Sequence, residues 1–179
     1  MKKGILYFGS LMLMVLLLFG NAFAQERTVE YKIKAAYLYN FTKFITWPDS
    51  EEANFSVCIV GNDPFGQALS PIETRAVKNK PIRVLRLDTI NQAKQCQIIY
   101  SAEISGDITP GILTIQSLYP ILTVSDSKQF VRKGGMIAFL LKEGKIKLFI
   151  NLPVLRKSGL EISAKLLEVA EVYEGESND

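Results

Sequence analysis

Short apolar runs recur along this chain with helical stretches between them, and that alternation restricts the fold more than any other feature. Phe55 to Val60 (FSVCIV) reads as a buried strand ending at Gly61. Ile82 to Leu87, Cys96 to Tyr100 (CQIIY) and Tyr119 to Val124 (YPILTV) read as three more strands. Met136 to Leu141 and Lys145 to Ile150 flank Lys142, Glu143 and Gly144, a compact link that predicts an antiparallel hairpin with Ile146, Leu148 and Ile150 on one face. Strands alternating with helices predict an α/β fold: a single domain, a largely parallel sheet with helices on its faces, and a C-terminal antiparallel hairpin.

The helices are read from spacing and caps. Thr28 is placed to cap a helix from about Val29 to Thr46, in which Val29, Ile33, Ala36, Tyr37, Phe41 and Phe44 recur at helical spacing. Tyr31, Ala35, Leu38 and Ile45 form a second apolar row, more than one buried stripe requires. This helix is expected to be deeply embedded or to cover a partner's surface as well. Trp47 and Pro48 end it. Gly61, Asp63, Phe65 and Gly66 form a turn after the first strand, with Asp63 as cap and Pro64 at the first position of a short helix. The stretch from Gly106 to Ser117 is partly helical, and Ser125 and Asp126 precede a capped helix from Ser127 to Val131. A last amphipathic helix is predicted over Ser163 to Val172, carrying Leu166, Leu167 and Ala170, before a polar tail.

The amino terminus carries Lys2 and Lys3, an apolar run from Ile5 to Phe19, and an A-x-A site ending at Ala24. That order is the pattern of a secretory signal peptide over residues 1–24, leaving a mature domain over 25–179. The rival reading is an uncleaved anchor, for which the run is short. Without Lys2 and Lys3 the mature part is close to neutral, and no basic stripe points to nucleic acid.

The chain contains no His and only two Cys, Cys58 and Cys96. The usual Ser-His and Cys-His pairs are therefore excluded, and two Cys alone make no structural zinc site. No catalytic residue, metal or cofactor is expected. In an oxidising compartment the two Cys form a disulfide, the alternative being two separate buried thiols. The turn at Gly61, Asp63, Phe65 and Gly66 is where anions can bind, but it lacks the spacing of a dinucleotide or phosphate loop. Core packing accounts for much of the aromatic surplus on the first helix. The remainder predicts a partner or dimer interface through Tyr39, Phe41, Phe44 and Trp47.

An ordered set of stretches carries a resemblance: YKIKAAYLYNFTKFITWP (31–48), CIVGNDPFG (58–66), Cys96, ILTVSDS (121–127), FVRKGGMIAFL (130–140), LFIN (148–151) and GLEISAKLLEVA (159–170). Together they span nearly all of the mature part, and the chain resembles the YfiR family of small periplasmic regulators. The resemblance implies a non-enzymatic protein that binds the periplasmic domain of an inner-membrane diguanylate cyclase, or another membrane sensor, and restrains cyclic-di-GMP synthesis. It also implies sequestration by an outer-membrane, peptidoglycan-associated lipoprotein, and a homodimer. Cys58 and Cys96 match the family's central cysteine pair; a second pair found in some relatives is absent. Two other classes stand beside this expectation. One is a periplasmic sensor that binds a small molecule near Gly61 and Val124. The other is an envelope enzyme, against which the missing constellations count.

Overall fold

The computed structural model describes residues 25–102 and 108–175. The expected signal peptide, the start of the stretch at Gly106 and the end of the polar tail lie outside the described residues. The first helix, α1, occupies residues 25–44, so Thr28 lies within it rather than capping it. Its final residues differ from expectation too: Ile45–Thr46 form a short strand, β1, which pairs antiparallel with β9 (Glu161–Ile162).

The main sheet has eight strands, in the spatial order β10-β8-β7-β6-β5-β2-β4-β3. Five are mutually parallel: β7 (Ile137–Lys142), β6 (Leu122–Ser125), β5 (Ile98–Ser101), β2 (Phe55–Val60) and β4 (Lys80–Leu87). β8 (Lys145–Asn151) runs antiparallel to β7 across a two-residue turn, Glu143 and Gly144, both at positive φ (52° and 70°). Such a turn twists in the sense that the strands need. At the opposite edge β3 (Ala76–Val77) joins β4 through Lys78 and Asn79 in the same conformation. The sheet is thus mixed α/β with a largely parallel centre, as the alternation predicted.

Period-two alternation sends side chains to two cores. Phe55, Val57 and Ile59 of β2 enter one core with Leu38 and Phe41 of α1, while Cys58 and Val60 enter the other. The first core also takes Leu69 and Ile72, next to or within α2 (Ser70–Glu73), and Leu155 of α5 (Leu152–Lys157). The second takes Ile112 and Ile115 of α3 (Ile108–Leu118) and Phe130 of α4 (Lys128–Arg132). Each large apolar side chain removed from water in this way contributes about 1.5–3 kcal/mol. Gly135 is required where α4 turns into β7: a Cβ there would lie 2.1 Å from the Phe130 ring.

The C-terminal prediction is corrected. The helix expected over Ser163 to Val172 is only one turn, α6 (Ala164–Leu167), capped by Ser163. The chain then forms β10 (Ala170–Tyr173), parallel to β8. Leu166 finds its buried place within that single turn, and the open edge of β8 offers the next residues a hydrogen-bond ladder. Two central strands also start later than expected. Cys96 ends a 3-10 turn over Ile90–Gln95, so β5 begins at Ile98, and β6 begins at Leu122.

Candidate functional site

Parallel α/β sheets place their binding crevices at the carboxyl ends of the strands, where the order of connections reverses. Here the chain leaves β2 toward β4 on one side and then returns to β5 on the other. A polar cluster occupies that end. Lys34 of α1 donates to Asp126 Oδ2 at 2.7 Å and is also ion-paired with Glu30. Tyr31 donates its hydroxyl to the same Asp126 oxygen at 3.1 Å. The Tyr100 hydroxyl, the Ser125 hydroxyl and Asp126 Oδ1 are buried there with no well-formed hydrogen bond, although Asp126 and Tyr31 neighbour Tyr100.

The electrostatics follow from burial and pairing. Burial pushes the Tyr100 and Tyr31 phenols up, and Asp126 adds to both. Burial pulls Lys34 down, but its hydrogen bonds to Asp126 and Glu30 outweigh that, so it holds its proton more tightly than an ordinary lysine. Ser127, and not Asp126, caps α4 by accepting the Gln129 N–H. Asp126 is left to hold α1 against the end of β6.

Beside this cluster, a groove of about 760 Å³ runs between α1 and the segment 62–75. Tyr31, Tyr39, Phe65 and Ile72 line it, with Arg27, Lys32 and Arg75 as its cations. The turn that sequence marked as a ligand site is tied up internally. Gly61 and Gly66 have positive φ (80° and 51°). Asp63 Oδ1 accepts the Phe65 N–H at 2.8 Å and Asp63 Oδ2 takes Arg86 Nε at 2.7 Å. Asp63 therefore closes its own turn instead of capping a helix; the helical run starts at Gly66 with no side-chain cap. Phe65 is buried edge-on to Tyr31 and Tyr100, with ring centroids 5.3 and 4.7 Å apart.

The four aromatic interface candidates separate. Phe41 is fully buried and stacks on Phe139 at 5.9 Å, so it has no surface to offer a partner in this fold. Trp47 is 8% exposed, edge-on to Phe55 at 5.0 Å, and donates its indole N–H to the Gln97 carbonyl at 3.0 Å. Tyr39 and Phe44 are half-buried. Lys43 and Arg75 both lie over the Tyr39 ring, at 4.5 and 5.8 Å. A second groove, of about 400 Å³, opens at the Trp47 end, at the amino ends of the strands. Cys58 on β2 and Cys96 just before β5 form a buried disulfide in the second core, Cα atoms 5.9 Å apart, and Cys96 also lines the second groove.

Sequence reasoning missed the Lys34–Asp126 pair. Its only local signal was a lysine four residues after Glu30 on an otherwise apolar helix. Among the described residues no group of His, Cys, Asp and Glu is arranged to hold a metal ion, and no helix is long and apolar enough to cross a membrane.

Comparison with known proteins adds a family and a fold. A family model described as "DUF4154: YfiR/HmsC-like" matches residues 31–171. No curated protein matches. Among solved structures, the ABC domain of Streptococcus pneumonia in complex with L-Trp aligns with a TM-score of 0.50 at 11% identity. The alignment covers 75% of this chain and 58% of that one, and the likeness is one of fold.

Proposed function

We propose that this chain, which belongs to the YfiR/HmsC-like family, is a non-catalytic periplasmic regulator that binds the periplasmic domain of an inner-membrane signalling protein. Its most specific form is repression of a diguanylate cyclase, which lowers cyclic-di-GMP. The observation that carries this reading is the family match over 31–171, nearly the whole described domain. The site chemistry supports it: the partly buried carboxylate of Asp126 is held by Lys34 and Tyr31, an arrangement that braces two elements and activates no nucleophile.

The mechanism is a population shift. A regulator moves a sensor toward its inactive state only by binding that state more tightly. An outer-membrane lipoprotein that competes for the regulator reverses the shift by lowering its free concentration. A homodimer would present two copies of the binding surface, with Tyr39 and Phe44 at the half-exposed part of α1.

The test is in-cell cross-linking of the tagged protein with mass spectrometry of its membrane partners. Recovery of a cyclase with a periplasmic domain is the expected result. A sensor kinase keeps the regulator and changes the pathway; the absence of any membrane signalling protein despite good expression defeats the reading. The second reading, a small-molecule sensor, is favoured by the buried Ser125 hydroxyl, which has no hydrogen-bond partner, in the polar cluster whose Tyr31 also lines the larger groove. A rise in melting temperature on screening small metabolites would support it.

A further inference from the structure

The groove at the Trp47 end differs from the rest of the surface in how its charge is placed. Lys43, Lys78, Lys80 and Lys94 line it, against the carboxylates Asp49 and Glu52. The chain as a whole carries a formal charge of only +3, two of it from Lys2 and Lys3, so this excess is local. Little inside the protein neutralises it. Lys78 meets Asp49 at 3.5 Å, but both are well exposed, and such pairs bind weakly. Lys80 donates to the backbone carbonyl and hydroxyl of Ser50, and Lys43 lies over the Tyr39 ring. No carboxylate of the described residues pairs with Lys43, Lys80 or Lys94.

Beneath the lysines the lining is apolar and preset. Trp47 and Phe55 hold each other edge-to-face, and the indole N–H is already used by Gln97. Tyr119, Pro120 and Ile121 complete the opposite wall. A floor whose polar group is satisfied and whose rim is cationic is complementary to an apolar side chain flanked by carboxylates. The volume of about 400 Å³ suits such an anchor. A lipid surface matches the charge but is flat, and leaves the concave floor unfilled.

We infer that this groove receives an extended acidic segment of the membrane partner, with one apolar side chain seated against Trp47 and carboxylates on the lysines. The inference rests on the regulator reading and names the chemistry of the partner's contact. Electrostatic complementarity of this kind speeds encounter and makes binding fall with salt.

The test places a photo-cross-linking amino acid at position 78 or 94 of the full chain in cells, with position 132 on α4 as the control. The expected product from 78 and 94 is a segment of a membrane protein with net negative charge, mapped by mass spectrometry, and absent from 132. Combining Lys43→Glu with Lys80→Glu should cut capture from position 94 by about tenfold or more, the scale of losing close charge pairs at an interface. Lys145→Glu, on the distant hairpin, should leave it unchanged, and melting curves confirm that each variant folds. Capture of a neutral or basic segment, of a second copy of this chain, or of lipid overturns the inference, as does indifference to the charge reversals. If only other faces capture a membrane signalling protein, the groove inference falls and the regulator stands. If no position captures one, both fall.

Discussion

Lys34 Nζ lies 2.7 Å from Asp126 Oδ2, joining α1 to the end of β6 across 92 residues of sequence. The ammonium is almost completely buried, and its two carboxylate partners keep some contact with water. Lys34→Met should therefore cost about 2 kcal/mol, below the usual loss for breaking a fully buried pair because the stranded Asp126 can be partly solvated. Asp126→Asn should cost less, since Lys34 keeps Glu30. The absence of any loss from either substitution in urea titrations would show that the pair does not brace α1.

The same lysine fixes a pH window. Its pKa is raised in the fold, so its contribution is fully present below the ordinary lysine value and disappears only as pH rises through the raised folded value. The stability gap between wild type and Lys34→Met should stay level from pH 6 to 9 and narrow only in strong base. A gap that closes near neutrality would contradict the pairing.

Acid should act at the other edge. Glu171 of β10 accepts from Lys142 at 2.6 Å and from Lys128 at 2.9 Å, and these two hydrogen bonds hold its pKa below the usual glutamate value. A lowered pKa stabilises above the unfolded value, and that stability is lost as pH falls through the folded one. Hydrogen exchange of the β10 amides should accelerate in acid more than that of β5. Glu171→Gln should remove this difference by making β10 exchange readily at every pH.

The disulfide closes a loop with a sequence separation of 38. The chain-entropy account gives about 4 kcal/mol for such a loop, before native-state strain is counted. Cys58→Ser should lower the melting temperature by roughly 10 °C on the scaling for domains of this size. An unchanged melting temperature would remove the disulfide from the account of stability.

Gly135 leaves no room for a methyl group. Gly135→Ala sets a Cβ 2.1–2.6 Å from three ring atoms of Phe130, itself fully buried. The loss should reach about 1–3 kcal/mol or more, the range for overpacked cores. Adding Phe130→Leu should recover part of it, and strict additivity of the two losses would deny the contact.

Much of the architecture is legible in local sequence. FSVCIV and IKLFI are apolar enough to declare strands, and Glu143-Gly144 announces the hairpin between β7 and β8. The misread final strand shows the limit. Leu166, Leu167 and Ala170 fit a helical period, yet Ala170–Tyr173 are claimed by the unpaired edge of β8, a partner twenty-two residues earlier at Leu148. Two-residue strands such as β1, β3 and β9 carry no periodicity to detect. The aromatic run on α1 was visible, but which of its members reach the surface depends on where the sheet lies. Phe41 meets Phe139 and is lost to the core, while Trp47 keeps a groove beside it. The polar cluster was least visible because Tyr31, Tyr100 and Asp126 meet only once strands β5 and β6 are side by side.

Cys58 and Cys96 are 0% and 2% exposed, and they tie β2 to the segment that leads into β5. Thiol exchange requires an attacking thiolate to reach a sulfur atom. A reductant in the surrounding medium therefore meets only the small part of Cys96 that lines the groove at the Trp47 end while the sheet is closed. Its reduction rate rises with how often the seam between β2 and β5 opens. The lifetime of the cross-link is thus a clock for breathing at the centre of the domain, and anything that grips the fold should slow it.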